Sequence, residues 1–147
     1  MQRAVSGLLD ALAPERATTR SSRLPVPVER HRTPTGCVLQ AATAALSVSW
    51  FPDVTTEASL GELQIAVWRG VLSRRGAAPQ PEGAVVTREL VVHPIAHAAD
   101  ECVWRATDGT SYDVQSLAAH CTALLEDQMI ADDPTGSAQS TTARRRD

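Results

Sequence analysis

One stretch near the C-terminus constrains the fold more than any other. Val114, Leu117, Ala118, Cys121, Leu124 and Leu125 recur at the spacing of a single helix face. Ser111 or Asp113 can accept hydrogen bonds from the first turn of that helix. A continuous apolar stripe must be covered, and the residues before it change period in a way that supplies a cover. Leu46, Val48 and Trp50 alternate with Ser47 and Ser49, the pattern of a strand with one buried face and one wet face.

Further strands follow. Residues 62–72 carry two competing signals. Ser59 and Glu62 have capping-box spacing, and Arg74, Arg75 and Gly76 resemble a helix end. Against that, Leu63, Ile65 and Val67 alternate with Gln64 and Ala66 in a run rich in Ile, Val and Trp, with Gly70 inside it. The alternation predicts a strand. Val85–Val92 is a third, ending at His93 and Pro94, and Cys102, Trp104 and Ala106 mark a fourth before a turn at Asp108-Gly109. The alanine-rich residues 37–45 fit either an extension of the first strand or its hairpin partner.

The expected fold is therefore α+β: an antiparallel sheet of about four strands packed against a C-terminal amphipathic helix, with flexible N- and C-terminal ends. A chain of 147 residues suits one core, since two would each be poorly buried. The expected division is an amphipathic segment and linker over 1–34, one domain over 35–131 and a disordered tail over 132–147.

Within the first segment, Val5, Leu8, Leu9 and Leu12 fall at i, i+3, i+4 and i+7 of a short helix. A helix of that length is marginal alone in water, and Gly7 weakens it further. Residues 14–34, with Pro14, Pro25, Pro27 and Pro34 among Arg, Ser and Thr, have linker composition. An amphipathic segment on a linker suggests docking on another protein. The expected partner-binding residues are Val5, Leu8, Leu9 and Leu12, together with Trp68 as the tryptophan expected to be most exposed. Trp50 and Trp104 are expected in the core.

Charge excludes one class of partner. Residues 1–32 hold six arginines against three acids, but residues 33–131 hold five against eleven. An acidic domain repels a phosphate backbone, and Arg16, Arg20, Arg23, Arg30 and Arg32 are spread out, so nucleic acid is not expected as a partner. The chain has no lysine and no asparagine, a bias that GC-rich coding explains without function. No apolar run approaches the length of a membrane span, and residues 1–13 lack the apolar region and cleavage site of an export signal. Three widely spaced cysteines, Cys37, Cys102 and Cys121, suit free thiols in a reducing cytoplasm.

Chemistry-bearing residues are few. His93 and His97 have the spacing of a metal pair on a helix, but Pro94 and the preceding β-rich run argue for extended chain, where residues four apart lie roughly 13 Å from each other. With Cys102 they form the alternative reading, a small metal- or ligand-binding enzyme. Cys102 and Cys121 fall on apolar faces, where cysteine behaves as a small hydrophobe. The acidic pairs fit solvated surface, and the glycines form no phosphate-binding loop. No catalytic residue, metal ligand or cofactor is assigned. The reading taken is a non-catalytic interaction module, with self-association through edge strands left open.

Overall fold

The computed structural model describes residues 2–12, 28–53, 60–72, 83–96 and 102–131. Its order is α1 (Gln2–Leu12), β1 (Glu29–Arg32), β2 (Gly36–Gln40), β3 (Ala44–Phe51), β4 (Glu62–Arg69), β5 (Val85–Ala96), β6 (Cys102–Ala106), β7 (Ser111–Tyr112) and α2 (Val114–Ala131). The strands form one antiparallel half-barrel meander in sequence order, β1 to β7. The expectation of about four strands packed against a C-terminal helix is thus corrected: among the described residues there are seven strands and two helices.

Each missed strand has a physical reason. β1 reads Glu-Arg-His-Arg and has no apolar alternation, because Arg30 and Arg32 occupy the positions that other strands fill with aliphatics. Its register places Arg30 opposite Leu39 and Arg32 opposite Cys37. Inward-pointing charge is a known way to blunt a sheet edge. β7, at the other edge, has only two residues. β2 is the hairpin partner of β3, and Gly36 permits their close approach. A Cβ added at Gly36 would stand 1.8 Å from the Val48 carbonyl oxygen.

β4 is a strand, as its alternation predicts. β5 runs on through Pro94 to Ala96, past the expected end. Its pairing with β4 runs only as far as Val92, while β6 pairs with it to Ala96. Pro94 therefore lies where β5 is paired on one side, the kind of position at which a residue without an N–H is tolerated.

Alternation sorts the sheet into two faces. On the inner face, Leu39, Leu46 and Val67 form one cross-strand row, Cys37, Val48, Ile65 and Leu90 a second, and Trp50, Leu63, Val92 and Ala106 a third. Both helices cover this face. α2 contributes Leu117, Cys121, Leu124, Leu125 and Met129, so its stripe runs one turn beyond Leu125. Asp113 is its N-cap: Oδ1 accepts from Ser116 N–H at 2.7 Å and Ser116 Oγ accepts from Asp113 N–H at 2.9 Å. Ser111, the other candidate cap, lies in β7.

α1 packs on α2 and β2, with Val5, Leu8, Leu9 and Leu12 in the same core cluster as the sheet. The core therefore draws on α1 and on Val28, just before β1, inside the segment expected to lie outside the domain. The rest of the expected linker and the expected tail from residue 132 fall outside the described residues.

Candidate functional site

The feature most like a binding site is the seat of α1, which packs on β2 and α2 and is tied at its C-terminal end to arginines of β1. Leu8 is wholly buried and Leu12 is 1% exposed. The stripe expected to face another protein thus faces the chain's own core, because the α2 and β2 surface beside it is equally apolar. Two arginines of β1 fasten the helix from the rim. Arg32 Nη2 pairs with Asp10, and Arg30 Nη1 donates to the carbonyl of Leu12, the last residue of α1. A cation at a helix C-terminus satisfies an orphan carbonyl and opposes the negative end of the helix dipole.

Arg30 is only partly satisfied. Its Nε is buried with no hydrogen-bond partner, and desolvation lowers the pKa of its guanidinium. Below it, burial pushes the Cys37 thiol up to about 11 despite the nearby Arg32 and Arg30. Burial pushes Cys121 up to about 12, with Cys37 adding to the effect. Neither thiol is a nucleophile at neutral pH.

Trp68 stands on the outer face, half-buried rather than freely exposed. Its indole N–H donates to Ser47 Oγ at 3.0 Å, and it pairs across strands with Ala45, which has no exposed surface although it is on the outer face. Trp104 is fully buried, as expected. Trp50 is partly buried, and its ring meets that of Trp104 edge-on at 5.9 Å.

The residues of the enzyme reading do not converge. His93 is on the outer face opposite Arg105, with Nδ1 3.4 Å from the Gly61 carbonyl oxygen. It borders a shallow hollow of about 250 Å³ with Phe51, Pro52, Asp53, Gly61 and Glu62. Cys102 lies on the inner face with Trp104, and burial raises the pKa of its thiol. Side chains on opposite faces of one sheet cannot share an ion or a substrate. His97 lies outside the described residues. Among the described residues no group of three or more His, Cys, Asp or Glu side chains could hold a metal. His120 is half-buried and stacks on Tyr112, their ring centroids 5.2 Å apart.

Sequence reasoning found the α1 stripe but not its seat, and took Arg30 and Arg32 for linker residues. A signal was present: arginines two apart project to the same face of a strand, and two inward arginines beside an apolar sheet imply something for them to bind. Among the described residues no helix is long and apolar enough to cross a membrane. No protein-family model, curated protein or solved structure matches this chain.

Proposed function

We propose that the chain is a non-catalytic protein-binding module that works by helix-in-groove recognition, with α1 as the docking segment. The supporting observation is the way α1 is held. It has 11 residues, contains Gly7, and carries no acid in its first turn and no base in its last, so little within the helix itself favours helical structure. Its order comes from four apolar side chains and two arginines supplied by the groove. That is how a bound amphipathic helix is ordered. When α1 leaves, its stripe and the groove are both free to take another chain, so an N-terminal docking segment and a segment docked at home are two states of one device. Three free cysteines suit a reducing, cytoplasm-like compartment.

Hydrogen exchange on the full chain tests the reading. Amides of α1 should exchange through a local opening well before those of α2 and β3, in the manner of low-stability elements that take part in binding. Exchange of α1 only with global unfolding would reject it.

A further inference from the structure

We propose that the unpaired edge of β5 is a strand-addition site for an extended, acid-bearing segment of another protein, separate from the seat of α1. β5 pairs with β4 from Val85 to Val92, but β6 pairs with it only from Val92 to Ala96. From Val85 to Val91 the side of β5 away from β4 therefore has no strand partner among the described residues, and the stretch from Val85 to Glu89 is exposed. A row of unpaired N–H and C=O groups is a template for a further strand. The outermost strands are poorer templates, since β1 carries inward arginines and β7 has only two residues.

The side chains along this edge set what it accepts. Arg88 stands opposite Val67, so it projects to the inner side, on which α2 packs. Val67, Arg88, Leu124 and Gln128 border a hollow of about 200 Å³. Thr87, the extra residue of a bulge, ties β5 to α2 there, with its Oγ 2.6 Å from Gln128 Oε1. A strand laid on the edge runs along this hollow. Its residue facing Arg88 meets an exposed cation that has no ion pair among the described residues, while Asp127, which also borders the hollow, is already engaged. Its inner-facing neighbours meet apolar Leu90, Val67 and Leu124. Opposite charges across a strand pair stabilise it and like charges destabilise it. The partner selected is an extended segment with Asp or Glu opposite Arg88 and aliphatic residues two positions to either side. A second copy of this chain fits less well, because two-fold pairing over the whole edge is centred on Arg88 and sets it against its own counterpart. The bulge and the inward cation also keep the edge from pairing indiscriminately.

The test titrates the full chain with capped peptides, Thr-Val-Thr-Glu-Thr-Val-Thr and the same sequence with Gln or Lys at the centre, while hydrogen exchange is followed amide by amide. Alternate amides from Val85 to Val91 should gain protection, because every second N–H of a strand points to a given side. The Glu peptide is expected to bind about fivefold tighter than the Lys peptide, with Gln between them. Arg88→Glu should invert that order; should it fail to fold, Arg88→Gln should level the three. Equal binding of all three peptides to the parent chain overturns the proposal, as does binding that leaves exchange from Val85 to Val91 unchanged, or no binding at millimolar peptide. Protection of those amides that rises with protein concentration in the absence of peptide also overturns it and assigns the edge to a second copy. The α1 reading is decided separately, on the amides of α1.

Discussion

The two helices cover the same face of the same sheet and are held in different ways. α2 has an N-cap, Asp113, and a stripe that stays buried from Leu117 to Met129. α1 is shorter and is kept at its C-terminal end by side chains of a neighbouring strand. One helix is part of the scaffold; in the proposed function the other is a lodger whose docking can be separated from the fold. Burial alone cannot tell the two apart, since Leu8 and Leu117 are equally inaccessible.

The largest test of that contrast is Leu117→Ala. It opens a cavity in the scaffold and should cost about 2–5 kcal/mol of global stability in denaturant unfolding. Leu8→Ala removes the same atoms from the lodger. Its cost should be smaller, because α1 can undock instead of carrying the cavity, and the loss cannot exceed the free energy of docking. Equal costs, with α1 and α2 amides exchanging together, would erase the distinction.

Alkaline titration probes the floor shared by both helices. Cys37 and Cys121 have folded pKa values raised to about 11 and about 12, from an ordinary 9.0. Their contribution to stability is therefore complete below pH 9 and is lost as pH rises from there through those values. A Cys37→Ala, Cys121→Ala double variant should flatten the alkaline limb of the stability curve. An unchanged limb would mean that other groups control it.

The smallest effect is expected at Asp113, whose pKa is lowered by hydrogen bonds from Ser116. A lowered folded pKa gives stability that is present above the ordinary carboxylate range and lost as pH falls through the folded value. Asp113→Ala should lower α2 protection at pH 7 and leave little difference from the parent in strong acid. A difference that persisted there would put the effect of residue 113 in packing rather than in charge.

What the sequence disclosed follows from where apolar residues report on structure. β3, β4 and α2 bury aliphatics at regular spacing, and each could be read from its period. The hairpin between β6 and β7 is legible in Asp108-Gly109, where Asp108 accepts from Thr110 N–H and Gly109 adopts a φ of +90°. β1 could not be read this way, because its inward positions are charged and answer to α1, a contact made across a long gap in sequence. Pro94 misled for a similar reason: proline ends a strand only where its missing N–H would have had a partner. The candidate groove was half-visible, as a stripe without a seat.

The guanidinium groups of β1 also bear on what happens if the groove stands empty. Withdrawing α1 would bare an apolar floor at the sheet margin where Glu29–Arg32 is the outermost strand, and bare floors beside free edges are where chains clump. The same departure releases Arg30 and Arg32 from the Leu12 carbonyl and Asp10, leaving two positive charges without those partners at the rim. Two open molecules approaching edge to edge would meet like charge before they met the floor. In the proposed function an open state would therefore carry its own brake on clumping, released when those charges are paired again.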